Sequence, residues 1–165
     1  MKDERIYAMT MGSFTAVNED KTATLMARDY KDPQCVSYDE GKQHYIVRRL
    51  TPLECERLQG FPDGWTDIGD WIDEKGKTRK GTDGARYKAL GNSIAIPPWF
   101  YVLQRLSIAC GADHTMASLF DGIGGFPLIW EGLHGAGSCV WASEIEDFPI
   151  AVTKEKFPEG GRPTQ

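Results

Sequence analysis

The spacing of apolar positions changes character along the chain. Through the first 49 residues, short apolar runs at 23–26, 35–38 and 45–49 alternate with polar turns carrying glycine or proline, which predicts short β-strands. From Thr51 the period lengthens. Thr51-Pro52-Leu53-Glu54 combines a capping hydroxyl, a proline for the first helical position and a glutamate that completes a capping box. Leu53 and Leu58 give this helix an apolar side, and Gly60 is placed to end it. Phe61-Pro62-Asp63-Gly64-Trp65 then reads as a turn whose two aromatic rings must pack against something. Residues 66–84 are polar, with glycine at 69, 76, 81 and 84, and predict a surface excursion with a hairpin around Lys75-Gly76. Order resumes at 86–93. Pro97-Pro98 opens a helix in which Trp99, Val102, Leu103 and Leu106 fall at i, i+3, i+4 and i+7, one apolar face, and Cys110-Gly111 closes it.

Beyond a connector at 111–115 the pattern alternates between strand and helix. Met116 starts an apolar run that ends at Phe120-Asp121, and Gly122, Gly124 and Gly125 follow within four positions. Phe126, Trp130 and Leu133 mark an amphipathic helix, 138–142 a second strand, and 147–157 a further helix with Pro149 in its first turn and Pro158 after it. Residues 159–165 are loop-like. Strand, helix, strand, helix predicts an α/β fold, the start of a parallel sheet with right-handed crossovers.

Composition sets outer bounds. The 165 residues correspond to one domain or a large part of one, and 41% hydrophobic content is ordinary for a globular protein. No apolar run approaches the roughly 20 residues of a membrane helix, and the charged N-terminus has no signal-peptide core, so the expected location is cytoplasmic. Cys35, Cys55, Cys110 and Cys139 are scattered without a C-x-x-C pair, which suggests neither a zinc site nor a disulfide framework. A net charge of −5 offers no general attraction to nucleic acid, but Arg48-Arg49 and the run Lys75, Lys77, Arg79, Lys80 are local basic candidates. The second group reads equally well as solvated loop charge. Arg28-Asp29-Tyr30 reads as a surface turn.

Strand, glycine turn and helix in that order let backbone approach a nucleotide-like ligand closely. Glu144 lies just past the second strand, 22 residues after Gly122, where an acid can accept hydrogen bonds from both ribose hydroxyls. Together they predict a nucleoside-containing cofactor; spacing does not say which.

Four segments resemble one family. Phe120-Asp-Gly-Ile-Gly-Gly-Phe126 is similar to the cofactor motif of DNA (cytosine-5)-methyltransferases, and Ala142-Ser-Glu-Ile-Glu146 to their second motif. Arg49-Leu-Thr-Pro-Leu-Glu-Cys-Glu-Arg-Leu-Gln-Gly-Phe-Pro-Asp63 resembles their ninth, the most specific of the four, and Tyr87-Lys-Ala-Leu-Gly-Asn-Ser-Ile94 their tenth. The resemblance implies a Rossmann-like fold dependent on S-adenosylmethionine, with an incomplete parallel sheet in this chain. The cofactor residues it implies are Phe120, Asp121, Gly122, Ile123, Gly124, Gly125, Glu144 as the ribose acid, Ile145, Asn92 and Ser93. It also implies double-stranded DNA as the substrate of the complete enzyme. Residues 1–46 would be the tail of a target-recognition-like region, 47–110 the ninth- and tenth-motif region, 111–115 a connector, and 116–165 the start of the cofactor domain. The ninth motif is mainly architectural in such enzymes, so Arg49 and Arg57 are expected in structural ion pairs and Cys55 in packing.

Two departures qualify the resemblance. The ninth and tenth motifs precede the first and second, which fits either circular permutation or a fusion of two reading frames near Met116. The family's nucleophilic cysteine follows a proline, and a Glu-Asn-Val segment supplies a glutamate; neither Pro-Cys nor Glu-Asn-Val occurs here. No catalytic residue is therefore assigned. The chain is expected to be inactive alone, either as one part of a methyltransferase or as an interaction module that pairs with a second chain carrying the catalytic motifs.

Overall fold

The computed structural model describes residues 50–111 and 114–158, together with four strands nearer the N-terminus. The runs expected at 35–38 and 45–49 form β3 (Cys35–Asp39) and β4 (Tyr45–Arg49). With β1 (Tyr7–Met9) and β2 (Val17–Glu19) they build an antiparallel sheet in the order β2-β1-β3-β4, Cys35 lying opposite Arg49. The run at 23–26 and the Arg28-Asp29-Tyr30 turn lie outside the described residues.

Helix α1 (Pro52–Gln59) starts with the capping box that its sequence encodes: the Glu54 N–H donates to the Thr51 hydroxyl, and the Thr51 N–H returns to Glu54 Oε2 at 2.8 Å. Arg48 forks onto the same carboxylate at 2.8 and 2.6 Å, joining the end of β4 to the helix. This guanidinium, more than the cap bonds, holds the Glu54 carboxyl at about 2. Gly60 ends the helix in the left-handed region at φ 81°, and a Cβ there would lie 2.7 Å from Pro97.

Glu56, on the inner side of α1, is completely buried. A buried carboxylate is tolerated only with near-complete pairing. Here the Gly64 N–H donates to Oε2, and the Thr66 N–H and hydroxyl both donate to Oε1. Arg86 adds a bond at 3.2 Å from helix α2 (Asp83–Gly91) and donates through Nε to the Thr66 hydroxyl. One carboxylate thus fixes the 60–66 turn and the helix above it. The Gln59 amide reaches the Leu90 carbonyl at 2.7 Å, and the Tyr87 hydroxyl donates to the Leu50 carbonyl.

Helix α2 begins within the segment read as a surface excursion, because Thr82 supplies a side-chain cap to the Ala85 N–H. The hairpin expected around Lys75-Gly76 is present as β5 (Trp71–Ile72) and β6 (Thr78–Arg79). Helix α3 (Ile96–Cys110) departs from its predicted burial. Of Trp99, Val102, Leu103 and Leu106, only Leu103 is buried; Trp99 meets Phe126 edge-on, while Val102, Leu106 and Ile108 stay exposed. The face is apolar, but α4 (Gly125–His134) covers only one line of it.

Strands β7 (Met116–Leu119) and β8 (Cys139–Ser143) pair in parallel, Leu119 opposite Ser143, with α4 as the crossover between them; α5 (Asp147–Lys156) follows. This is the expected α/β unit, an incomplete Rossmann-like sheet. Ile123, Leu90 and Val152 lie at the centre of the main core, with Phe61, Trp65 and Phe148 around them. Among the described residues no helix is long and apolar enough to cross a membrane.

Two outcomes follow. Glu56→Ala strands Arg86, Thr66 and the Gly64 amide, and should lower unfolding free energy by about 3 kcal/mol in urea titrations. Glu54 ionises more readily folded than unfolded, so its contribution is complete above about 4.5 and lost as pH falls toward about 2. Stability curves of wild type and Glu54→Gln should therefore differ at pH 6 and converge through that acid window.

Candidate functional site

The carboxyl ends of β7 and β8 lie side by side, the edge of a parallel sheet at which ligands bind. Phe120 leaves β7 with φ 53°, a left-handed conformation that a bulky residue rarely adopts. Its ring is 84% exposed. The next residue reverses the direction: Asp121 is buried, its N–H donates to the Ser143 carbonyl at 2.9 Å, and its Oδ1 accepts from the Ser118 hydroxyl at 2.6 Å. Gly122 follows in the left-handed region at φ 59°.

Glu144 faces this turn from the end of β8. Its Oε2 accepts from the Gly122 N–H at 2.6 Å, and its Oε1 accepts from the N–H groups of Ile145 and Glu146 at 2.7 and 3.0 Å. The two residues singled out by their 22-residue separation are thus in direct contact. Ile145, next along, leaves its side chain 83% exposed. Phe120 and Ile145 are therefore bare apolar side chains flanking a carboxylate and a backbone amide, with room above Gly122, where a Cβ would meet nothing.

The other glycines answer to the protein. A Cβ on Gly124, at φ 82°, would lie 2.7 Å from the Phe157 ring and 3.2 Å from Thr153. On Gly125 it would lie 2.8 Å from Ile94 and 3.4 Å from Phe61. Ile123 has its side chain wholly in the core, and its carbonyl accepts from the Trp65 indole N–H at 2.8 Å. Asp121, Ile123, Gly124 and Gly125 therefore present only backbone toward any ligand. Phe120 and Ile145, both exposed, and Gly122 and Glu144, both half-buried, form the rim.

Asn92 and Ser93 close helix α2, their N–H groups donating to the Lys88 and Leu90 carbonyls. The following residue, Ile94, packs on Gly125 and brings that segment alongside the glycine turn. Lys88, one turn earlier, pairs with Glu146 at 2.8 Å, a second link between α2 and the end of β8. Sequence reasoning missed the Trp65 and Phe61 contacts to the turn; the only clue was that two aromatics on a short loop needed a surface. Arg57 pairs with Asp63 at 2.6 Å as expected. Arg49 makes no ion pair with a described residue; the neighbouring Arg48 does.

Comparison with known proteins bears on residues to both sides of α1. The sequence profile described as C-5 cytosine-specific DNA methylase matches residues 2–107, ending ahead of the glycine turn. A DNA N-6-adenine-methyltransferase of Escherichia phage P1 is 37% identical over 117 residues, 59% of this chain and 15% of that protein. Type II methyltransferase M1.ScrFI of Lactococcus lactis subsp. cremoris is 30% identical over 56% of this chain and 21% of its own length. Type II methyltransferase M.BanI of Aneurinibacillus aneurinilyticus is 43% identical over 54 residues, 10% of its length. The chain spans about a fifth or less of each of these relatives.

The glycines should separate by substitution. Gly124→Ala combines left-handed strain with a clash on Phe157 and should cost about 2–4 kcal/mol. Gly122→Ala meets only the strain and should cost about 1 kcal/mol. Thermal melts of the two variants test that ranking.

Proposed function

Because the chain belongs to the family of C-5 cytosine-specific DNA methylases, we propose that it supplies the S-adenosylmethionine-binding edge of a DNA cytosine-5 methyltransferase. The observation that carries this reading is the rim itself: two bare apolar side chains, Phe120 and Ile145, on either side of a carboxylate bonded to the Gly122 amide. These residues fit a nucleoside. Phe120 and Ile145 offer apolar surface to a base, and Glu144 has lone pairs beyond its three backbone bonds to accept ribose hydroxyls. The open space above Gly122 admits the ligand without displacing a side chain. Asn92 and Ser93, carried beside the turn by the Ile94–Gly125 contact, close the pocket. When bound, S-adenosylmethionine supplies the methyl group on a sulfonium. The turn's role is to hold that group in place.

Methylation at C5 requires a thiolate to attack C6 of an extruded cytosine. Cys55 and Cys139 are buried, Cys110 ends α3, and Cys35 lies in the antiparallel sheet. None of them follows a proline. The reading therefore places the nucleophile outside these 165 residues. The uncovered apolar residues of α3 and the two-stranded parallel sheet favour such a companion, since parallel strands are ordinarily covered on both faces. Cytosine rather than adenine is the target on this reading because the family match includes the segment at 49–63. The name of the phage relative makes adenine the rival.

Calorimetry should detect S-adenosylmethionine binding, weakened at least about 10-fold by Glu144→Ala through loss of charge-assisted bonds. A well-folded sample with no such binding counts against the proposal. The chain alone should leave DNA unmethylated. Added to a chain bearing Pro-Cys and Glu-Asn-Val, it should yield 5-methylcytosine; N6-methyladenine in the product would overturn the choice of base.

A further inference from the structure

We propose that the β5–β6 hairpin is a contact for the phosphate backbone of duplex DNA, carried by Lys75, Lys77 and Lys80; this rests on the DNA-directed function above.

The hairpin is held by one carboxylate. The Asp73 side chain is 2% exposed and accepts from the N–H groups of Lys75 and Lys77 at 3.0 and 2.8 Å and from Arg79 Nε at 2.8 Å. The Asp73 N–H donates to the Lys77 carbonyl, and the Gly76 N–H to the Asp73 carbonyl. All of these bonds lie within the hairpin. They fix a two-pair ribbon that would be marginal by itself. Asp73 offsets the charge of Arg79 alone. Lys75, Lys77 and Lys80 are exposed and make no ion pair with a described residue. With Asp73 and Arg79 paired, residues 74–80 leave three cations, Lys75, Lys77 and Lys80, against Glu74.

The tip is also placed. Trp71 meets Phe148 edge-on at 5.6 Å, which ties the ribbon to the first turn of α5, just after Glu144 and Ile145. Glu74 lines one cleft of about 530 Å³ with Lys88, Ile145 and Glu146, so the hairpin begins beside the rim. Beyond that base, a Cβ on Gly76 would meet nothing, and residues 74–80 are all exposed. A body of net charge −5 repels a polyanion on average. Screening within about 10 Å lets a protruding cationic tip act locally despite that balance. Three flexible ammonium groups suit point contacts to phosphates and carry no base specificity.

The test is fluorescence anisotropy of the full chain with a short labelled duplex between about 50 and 200 mM salt. Each phosphate contact adds about 0.9 to the slope of log affinity against log salt. Lys75→Ala, Lys77→Ala and Lys80→Ala together should flatten that slope by about 2–3 and weaken low-salt binding at least about 10-fold. A control with Arg105→Ala, Lys154→Ala and Lys156→Ala removes equal charge elsewhere and should leave the slope in place. An unchanged slope in the hairpin variant overturns the proposal, as does an equal loss in the control. Preferential binding of a polyglutamate peptide with the same lysine dependence would assign the tip to an acidic protein and overturn it too. S-adenosylmethionine calorimetry on the same variants reports separately on the rim. Intact cofactor binding with no duplex binding by the wild type would defeat the hairpin contact and leave the rim reading standing.

Discussion

The fold depends on satisfying the buried carboxyl group of Glu56. The buried Glu56 side chain is satisfied only because the turn after α1 curls back to present the amides of Gly64 and Thr66 and the Thr66 hydroxyl, and because Arg86 arrives from α2. Meeting that condition sets the position of residues 60–66. Trp65 then points its indole N–H at the Ile123 carbonyl, and Phe61 lies against Gly125. The glycine turn is therefore supported from about 60 residues away in sequence, by aromatic side chains that the Glu56 network holds in position. Order along the chain matters little to such an arrangement, since the parts that support the turn are held across space.

Local rules carried most of what could be read in advance. The capping box at Thr51–Glu54, the left-handed stop at Gly60, the hairpin at Lys75-Gly76 and the strand–turn–helix at 116–134 each depend on residues within one turn of each other, and each is present. The acid at Glu144 was legible because strand and helix lengths fix its distance from Gly122. What could not be read depends on tertiary neighbours. Glu56 looked like any helical glutamate, since burial is decided by α2 and the 60–66 turn. The apolar side of α3 was correctly periodic, yet periodicity only says that a face is apolar; the structure covers Leu103 and leaves Val102, Leu106 and Ile108 open.

The three glycines of the turn share a motif but not a reason. Gly124 and Gly125 are small because Phe157, Thr153, Ile94 and Phe61 occupy the space that a side chain would need. Gly122 is small beside open solvent, where only backbone conformation and the approach to its amide favour glycine. A motif of this kind therefore records internal packing as much as it records a ligand. The surrounding residues divide likewise, with Asp121 and Ile123 buried, Glu144 half-buried, and Phe120 and Ile145 exposed.

Phe120 concentrates two unfavourable conditions in one residue, a left-handed backbone of order 1–2 kcal/mol and an aromatic ring in water. Neither is relieved within the described chain. The bond from Asp121 to the Ser143 carbonyl and the Glu144 bond to Gly122 hold the residue there nonetheless, so folding itself bears the expense of aiming the ring. On the reading proposed above, a planar ligand arriving at this edge would meet a preorganised surface and lose no affinity to ordering it. Its whole gain from covering the ring would appear as binding free energy, and the folded chain would become more stable by the same linkage.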